Sequence, residues 1–381
     1  MISKFHNNDI LWMEKALALA ETVLYNTTPN PRVGCIIVKN GHFISQGVTQ
    51  VPGEAHAEIC AIQEARLKNH CLKGSTIYVT LEPCSHYGRT PPCVDSLLAI
   101  QPKRVVVAMV DPNPNVRRRG INRLRAAGID VTVGVCKNQA LQLNVGFVSR
   151  MTRGTPWIWL KIASSLDGRS SLYNGKSQWI TGYQARKDGH HWRARSCVIL
   201  TGIGTILKDN PLLNVRNVNT IRQPIKAIID TQFRIPENAR IFDGSKVLIF
   251  TSEILNLNKA SRLAKNNVEI VILPIIKNGK LDLSVMIEWF ASNNVNEIHV
   301  EAGSILNGAL LLNNYIDELI VYISPILIGD ACPIAKLPIL EKLDKAWKFS
   351  FLDLKSFGND IRFHVRSIEK WNALCKAIDC I

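Results

Sequence analysis

Residues 81–93 read LEPCSHYGRTPPC, about one short strand downstream of residues 53–62, which read GEAHAEICAI. One helix is predicted to begin near His56 and Glu58. A second is predicted near Cys93, which follows two prolines of the kind common in a first helical turn. Helix N-termini carry partial positive charge, which stabilises thiolates and lowers the pKa of groups bound there. Reactive side chains are therefore predicted to gather at two helix N-termini.

His56, Cys84 and Cys93 are the predicted zinc ligands. One imidazole and two thiolates supply three ligands to a tetrahedral zinc and leave the fourth position to water, as in catalytic sites. Zinc lowers the pKa of that water, and Glu58, close but not a ligand, can take the proton of that water, protonate a ring nitrogen and, in a separate transfer, protonate the departing amine. A C–NH2 group would become C=O. The pattern H-x-E with P-C-x-x-C is typical of zinc deaminases, and the assignment is made by match to it.

The cysteine spacing departs from that pattern. Eight residues, SHYGRTPP, separate Cys84 from Cys93, where nucleobase and RNA deaminases have two. The longer loop is expected to cover something, and Arg89 is a candidate to reach a phosphate and His86 a candidate to hydrogen-bond a substrate. The alternative is two structural cysteines beside an unrelated His-x-Glu.

Length and composition indicate two domains. The chain has 381 residues, 46% of them hydrophobic, which is too long for one typical core and sufficient for two. Ile10, Met13 and Leu17 have the spacing of an amphipathic helix rather than a signal peptide, and no apolar run approaches a membrane span. The ten scattered cysteines are expected to be reduced. A cytoplasmic protein without a membrane partner is predicted.

The net charge of +15 is compatible with an anionic partner, either nucleic acid or a phosphorylated small molecule. A compositional bias toward Lys, Asn and Ile explains the charge equally well. Arg117–Arg119 is a compact basic cluster, but no aromatic ladder accompanies it. Charge alone therefore does not favour nucleic-acid binding.

The order of predicted elements indicates an α/β protein. Strands alternate with helices in the first half, which predicts a largely parallel sheet covered on both faces, and a second series of strands follows. Hairpins are predicted at Asn40-Gly41 and around Gly358-Asn359. Charge, glycine and proline in RMTRGTPW mark a boundary. The predicted domains are residues 1–151 and 152–368, followed by a tail of unknown role at 369–381.

Several motifs together point to a known family. TTPNPRVGCIIV, GEAHAE, LEPCSHYGRTPPC and DPNP resemble the deaminase half of the bifunctional riboflavin-biosynthesis deaminase–reductases. KIASSLDGR, SQWITG, TGIGTILKDNPLLNVR and VEAGSILNGALL resemble the reductase half, so the resemblance extends to about Ser367. It implies an N-terminal cytidine-deaminase-like three-layer αβα domain and a C-terminal dihydrofolate-reductase-like α/β domain. It also implies deamination of a phosphoribosylamino-diaminopyrimidinone, reduction of the ribosyl chain to ribityl with NADPH, and a dimer through the second domain.

The resemblance also implies roles for individual residues. Asn30 would face the pyrimidine, and Arg89 the substrate phosphate. NADPH contacts are implied at Ala163, Trp179, Thr205, Asp209, Thr231, Gly303, Ser304, Ile305, Leu306, Asn307, Gly308 and Ala309. Substrate contacts are implied at Ser177, Arg193, Leu213, Arg216 and Glu301. The alternatives are core packing for Trp179 and a turn or helix cap for Asp209. This chain departs from the family's usual residues at Arg117, Arg118 and Asn210, which leaves the role of the arginine cluster open.

The second half also permits a physical reading. In HVEAGSILNG, residues 299–308, a strand is predicted to end at Glu301, and the next helix presents an N-terminus that suits a phosphate. Glycine patterns of this kind are weak evidence alone, and no Rossmann fingerprint accompanies them. Lys161 and Glu301 are candidates for assisting ring opening of a ribosylamine before hydride transfer. Two other functions stay open: a nucleic-acid base deaminase with an appended binding domain, and a deaminase whose second half is only a structural or oligomerisation module.

Overall fold

The computed structural model describes residues 6–87, 91–254 and 256–380. The chain forms two compact units, one of Met1–Gly154 with Leu374–Ile381 and the other of Thr155–Ala373. The last residues thus group with the first unit, while the domain bounds given above stay a prediction. No helix within the described ranges combines the length and the apolarity that crossing a membrane requires.

The first unit contains a five-stranded sheet in the order β2-β1-β3-β4-β5. Its strands are β1 (Gly34–Lys39), β2 (His42–Val48), β3 (Thr76–Val79), β4 (Arg104–Val107) and β5 (Asp130–Val133). The predicted hairpin is confirmed, because Lys39 pairs with His42 across Asn40 and Gly41, which both have positive φ. The prediction of a largely parallel sheet holds only for β3, β4 and β5, since β1 is antiparallel to both of its neighbours. A continuous apolar run indicates that a strand is buried on both faces, but it does not indicate the direction of the strand relative to its neighbours.

Two glycines bring helices close to this sheet. The helices of the unit are α1 (Asn7–Glu21), α2 (Ala57–Leu67), α3 (Cys93–Ile100), α4 (Arg119–Ala126), α5 (Lys137–Leu143) and α6 (Val145–Arg153). A Cβ on Gly34 would lie 2.0 Å from the Ala16 carbonyl oxygen of α1, and one on Gly47 would lie 2.2 Å from that of Ala57 in α2. Gly47 pairs with Cys35, the neighbour of Gly34, so the two glycines face opposite sides of the sheet. α1 and α2 therefore cover opposite faces, and the start of α2 is held against β2.

The second unit contains a nine-stranded sheet in the order β11-β10-β9-β8-β12-β6-β13-β16-β15. Its strands are β6 (Trp157–Ser165), β8 (Val198–Gly202), β9 (Ile225–Ile229), β10 (Val247–Thr251), β11 (Val268–Ile272), β12 (Glu297–Val300), β13 (Glu318–Ser324), β15 (Ser350–Phe357) and β16 (Asp360–Arg366). The strands from β11 to β13 run parallel. β15 and β16 form the predicted antiparallel hairpin around Gly358-Asn359. A separate small sheet joins β7 (Arg169–Ser171) to β14 (Cys332–Pro333).

Both faces of this large sheet are covered. Leu200 and Phe250 belong to one buried apolar cluster, whereas their chain neighbours Ile199 and Ile249 belong to another. The helices are α7 (Tyr183–Arg195), α8 (Ile203–Asp209), α9 (Leu257–Ala264), α10 (Leu283–Ser292) and α11 (Ser304–Leu312), with a 3-10 turn at Leu343–Lys345. Helix α12 (Ile368–Asp379) begins in this unit, and its residues from Leu374 onward belong to the first unit. Because parallel strands end at one edge of a sheet, residues that follow β8, β9 and β12 come together there.

The C-terminal stretch forms a helix with buried residues. Leu374 and Ile378 of α12 are buried. Within the first unit, Lys137 pairs with Asp379, and the Arg117 Nη2 donates to the Cys380 carbonyl at 2.9 Å. Arg117, one residue of the arginine cluster, therefore binds the end of the C-terminal helix.

A buried carboxylate joins the strands of the second unit. Glu318 on β13 accepts hydrogen bonds from Trp159 Nε1 at 2.6 Å and from Arg366 Nε at 2.7 Å, and it contacts His364 Nε2 at 2.6 Å. Burial raises the pKa of Glu318, but the hydrogen bond from His364 and the charge of Arg366 outweigh burial and lower the pKa to about 2. The ionised carboxylate therefore stabilises the fold.

We expect Glu318→Gln to reduce the pH dependence of stability. A glutamate usually titrates near pH ~4.3, so the stabilisation is fully present above that value and is lost as the pH falls toward 2. The free energy of unfolding of the parent should exceed that of the variant by about 2–3 kcal/mol at pH 7. Urea unfolding followed by tryptophan fluorescence should show this difference shrinking between pH 5 and pH 3. A difference that stays constant over that range would contradict the assignment.

Candidate active sites

His56, Cys84 and Cys93 lie together in the first unit. His56 precedes α2 with extended backbone, and Cys93 is the first residue of α3. The His56 Nδ1 lies 3.5 Å from the Cys84 Sγ and 3.3 Å from the Cys93 Sγ. The three ligand atoms all lie within 4.8 Å of one another. One nitrogen and two sulfurs at this separation fit zinc.

A hydrogen bond between the two thiols shifts their pKa values in opposite directions. A hydrogen bond from the Cys93 thiol, outweighing burial, lowers the pKa of Cys84 to about 4, and His56 lowers it further. The same hydrogen bond, with burial, raises the pKa of Cys93. The Cys93 backbone N–H also donates to the Cys84 Sγ at 3.3 Å. Cys93, the first residue of α3, therefore stabilises the thiolate form of Cys84, which is the form that binds zinc.

Glu58 lies in the first turn of α2 and is only 4% exposed. Burial, together with the negative charge of Cys84, raises the pKa of Glu58 to about 7. A carboxyl group with such a pKa can both accept and donate a proton at neutral pH. Glu58 is not a member of the ligand group, and its role in proton transfer stays a prediction.

The predicted substrate contacts of this unit are only partly described. Asn30 is half-buried, and its backbone N–H donates to the Thr27 carbonyl at 2.9 Å. His86 is exposed in the loop between the two cysteines. Arg89 lies outside the described residues, so its role stays a prediction.

Most predicted residues of the second unit lie at the C-terminal edge of its large sheet. Ala163 is near the end of β6, Thr205 is in α8 directly after β8, and Thr231 follows β9. Glu301 follows β12 and begins the turn into α11. The sheet thus brings together side chains that lie far apart in the sequence.

Arg193 and Glu301 form a bidentate ion pair at the C-terminal edge of the large sheet. The Arg193 Nη2 donates to Glu301 at 2.8 Å, its Nε donates at 2.5 Å, and its Nη1 donates to the Asn214 carbonyl at 2.9 Å. Both side chains of the pair are 14% exposed. Burial raises the pKa of Glu301, but the charge and hydrogen bonds of Arg193 outweigh it, so the pKa lies well below its usual range. Glu301 is therefore held as an anion.

Lys161, the other predicted ring-opening candidate, is on β6 with its Nζ 5.9 Å from the Tyr322 ring centroid. Burial lowers the pKa of Lys161, and the negative charge of Glu301 opposes this. The ammonium group and the Glu301 carboxylate thus influence each other electrostatically.

Two histidines near this site were missed by the sequence analysis. The His299 Nε2 lies 3.3 Å from a Glu301 oxygen, and burial lowers the pKa of His299. His190 accepts the backbone N–H of Arg216 at 3.1 Å, and burial with the charges of Arg193 and Arg216 lowers the pKa of His190 to about 4. The alternation of strand β12 could have shown that His299 and Glu301 share a face. No such local signal exists for His190.

The remaining predicted contact residues differ in how far they are buried and in what they contact. Ser177 donates to Asp209 at 3.4 Å, which ties the segment before α7 to the end of α8. The ring of Trp179 is 68% exposed and lies under the Arg186 guanidinium at 4.3 Å, so the alternative of core packing is wrong for Trp179. Leu213, by contrast, is buried.

Two neighbours of these residues have polar contacts. The Arg216 Nη1 donates to Asn214. Asn210, where the family usually has aspartate, accepts the backbone N–H of Arg240 at 2.8 Å. Asparagine therefore keeps an acceptor oxygen at this position.

Residues 303–309 form the N-cap and the first turns of helix α11, with an open end and a packed end. Gly303 precedes α11 with extended backbone, and a Cβ there would meet none of the described residues within 4 Å. Deeper in the helix, Asn307 donates to the Ile334 carbonyl at 2.8 Å, and a Cβ on Gly308 would lie 2.1 Å from the Lys336 carbonyl oxygen. The open helix start suits a phosphate-bearing cofactor.

Comparison with known proteins agrees with both sites. The cytidine and deoxycytidylate deaminase zinc-binding region matches residues 6–109, and the RibD C-terminal domain matches residues 156–363. Riboflavin biosynthesis protein RibD of Escherichia coli K12 is 44% identical over 370 residues, covering 94% of this chain and 99% of the relative. The Aquifex aeolicus protein of the same name is 35% identical, covering 92% and 96%.

Solved structures agree with these relatives. Acinetobacter baumannii RibD, form 1, has a TM-score of 0.86 at 37% identity and covers 94% of this chain and 98% of its own. A Thermotoga maritima protein, titled a diaminohydroxyphosphoribosylaminopyrimidine deaminase/5-amino-6-(5-phosphoribosylamino)uracil reductase, has a TM-score of 0.85 at 29% identity. It covers 95% of this chain and 99% of its own.

The fold and the sites define a zinc-dependent deaminase joined to an NADPH-dependent reductase. The predicted fold class is confirmed, with a cytidine-deaminase-like unit followed by a dihydrofolate-reductase-like unit. The chain belongs to the RibD family of bifunctional riboflavin biosynthesis enzymes.

Proposed function

We propose that the first unit hydrolytically deaminates 2,5-diamino-6-(5-phosphoribosylamino)pyrimidin-4-one to 5-amino-6-(5-phosphoribosylamino)uracil. The second unit then reduces the ribosyl chain to ribityl with NADPH. The proposal rests above all on the His56, Cys84 and Cys93 group beside the buried Glu58, which supplies both a zinc site and a proton carrier. The two activities named for the Thermotoga maritima protein support these substrates.

Glu58 performs the proton transfers of deamination. His56, Cys84 and Cys93 would hold the zinc ion, which when bound would supply a water acidic enough to lose a proton near neutral pH. Glu58 would accept this proton and deliver it to a ring nitrogen of the pyrimidine as hydroxide adds to the amine-bearing carbon. It would then take the proton of the added hydroxyl group and give it to the departing amine, so that C–NH2 becomes C=O and ammonia leaves. Its pKa of about 7 suits both directions of transfer. Asn30 would orient the ring, and Arg89 would bind the phosphate.

Residues of the second unit position the sugar and the cofactor. NADPH, when bound, supplies a hydride to the first carbon of the opened ribosyl chain. Arg193 and Glu301, which are fixed by their ion pair, would contact the substrate. The exposed Arg216 side chain would bind its phosphate. Lys161 and Glu301 would assist ring opening. Cofactor contacts are proposed at Ala163, Trp179, Thr205, Asp209, Thr231 and residues 303–309 at the start of α11.

The cofactors and the substrate of these reactions support a cytoplasmic location and a small-molecule partner. The zinc ligands need reduced thiols and the reductase needs NADPH, which favours the cytoplasm. The partner is a small phosphorylated pyrimidine rather than nucleic acid, and a dimer through the reductase unit is proposed by family resemblance. The proposed domain bounds are 1–151 and 152–368.

A coupled assay tests the proposal. Purified protein is incubated with the diaminopyrimidinone phosphate and NADPH, and the products are followed by mass. We expect ammonia release followed by a ribityl product. Ammonia release without NADPH binding would mean that the second unit is a structural module, and release of ammonia from a tRNA would favour a nucleic-acid deaminase.

A further inference from the structure

Glu82 lies two residues before the zinc ligand Cys84 and takes no part in either reaction described above. Its side chain is only 3% exposed. The carboxylate accepts backbone N–H groups from Asp111 at 3.2 Å, Arg118 at 2.9 Å, Gly120 at 3.0 Å and Ile121 at 3.2 Å. A carboxylate with so many backbone donors organises the chain around it.

These donors belong to two stretches without an assigned function. Asp111 begins the DPNP motif, and Arg118 and Gly120 belong to the arginine-rich start of α4. Arg118 is the N-cap residue of α4, and its side chain makes no capping hydrogen bond. Glu82 therefore satisfies the first N–H groups of α4 from outside the helix, where a negative charge is favourable.

Gly120 brings α4 directly against the chain that leads to Cys84. A Cβ on Gly120 would lie 2.1 Å from the Pro83 carbonyl oxygen. The start of α4 thus rests on the peptide between Pro83 and Cys84, and no larger residue fits there without moving that peptide. Beyond this peptide, the Cys84 carbonyl accepts the Val94 N–H at 3.2 Å.

We propose that Glu82 and Gly120 form a clamp that positions Cys84 for zinc binding. Cys84 is held from one side by α4, through Glu82 and Gly120, and from the other by the start of α3. Glu82 is a positioning residue, since it acts through the backbone of Cys84. The clamp also gives Arg118 a backbone role. The inference rests on the zinc-dependent deamination proposed above.

Zinc affinity tests the clamp in the full-length protein. Glu82→Gln replaces one acceptor oxygen with an NH2 group that faces backbone donors, so two hydrogen bonds are lost. We expect the zinc dissociation constant, measured by competition with a chromophoric chelator, to rise about tenfold to hundredfold. Excess zinc should restore deamination with an unchanged KM for the pyrimidine. Glu82→Asp, which keeps both oxygens, should retain zinc more tightly than Glu82→Gln.

A matched control separates positioning from general stability. Asp9 is a buried carboxylate in the same unit, bonded to the Tyr78 hydroxyl at 3.0 Å and to Arg104 at 2.9 Å. Asp9→Asn should lower the free energy of unfolding without changing the zinc dissociation constant.

Gly120→Ala is the second variant, and it tests the clamp even if Glu82→Gln does not fold. It leaves every hydrogen-bonding side chain in place, but its Cβ displaces the Pro83 peptide and should weaken zinc binding similarly. A folded Glu82→Gln or Gly120→Ala protein that binds zinc as tightly as the parent would overturn the clamp. A parent protein that binds no zinc would instead overturn the proposed deamination, and the clamp with it.

Discussion

Glu58→Gln is expected to lower the rate of ammonia release by about 10²- to 10⁴-fold, the usual contribution of a positioned general acid and base. The amide keeps the size of the side chain but can neither take a proton from water nor give one to the departing amine. Burial raises the pKa of Glu58 to about 7, which suits the proposed role of this residue as the proton carrier of the site. Ammonia release is measured with the diaminopyrimidinone phosphate as substrate.

Three controls accompany this variant. Zinc content should stay at the parent value, because Glu58 is outside the ligand group. Oxidation of NADPH should proceed normally when the deaminated substrate is supplied. Glu64→Gln, a change of the same kind on the same helix, should leave ammonia release intact. Rapid deamination by Glu58→Gln would show that another group carries the proton.

Arg193→Met is expected to reduce kcat/KM of the reductase reaction by about 100-fold, since it leaves the Glu301 carboxylate buried without its bonded partner. The pKa of Glu301, now held well below its usual range by Arg193, should rise in the variant. Glu301 would then be ionised only at higher pH. Reductase activity of the variant should therefore fall as the pH is lowered over a range where the parent is constant.

The comparison variants for this experiment come from the same helix. Lys187→Met removes an exposed charge from α7 and should have no effect on reduction. Arg193→Lys keeps the charge but not the two-pronged geometry, so we expect an intermediate loss. Deamination should be normal in all three proteins. A reductase that tolerates Arg193→Met would contradict the assigned role of the ion pair.

The zinc site could be predicted from the sequence because its chemistry is local. His56 and Glu58 are separated by one residue at a helix start, and Cys93 follows two prolines at another. The structure places these predicted ligands together. Local patterns also predicted the turn at Asn40-Gly41, since a two-residue turn with positive φ needs such residues.

Contacts between distant segments could not be predicted in the same way. Arg193 and Glu301 are paired across 108 residues, and their individual assignment came from family resemblance alone. The antiparallel pairing of β1 with β3 could not be predicted, because the apolar pattern of a strand does not depend on the direction of its neighbour. The four donors of Glu82 come from a stretch that begins 29 residues later, and only the folded chain brings them together.

Elemental analysis of the purified full-length protein tests the central claim most directly. The account predicts one zinc per chain in the parent protein. It predicts loss of both zinc and ammonia release in Cys84→Ala, with reduction of the deaminated substrate intact. Folded, deaminating parent protein without stoichiometric zinc would contradict the account.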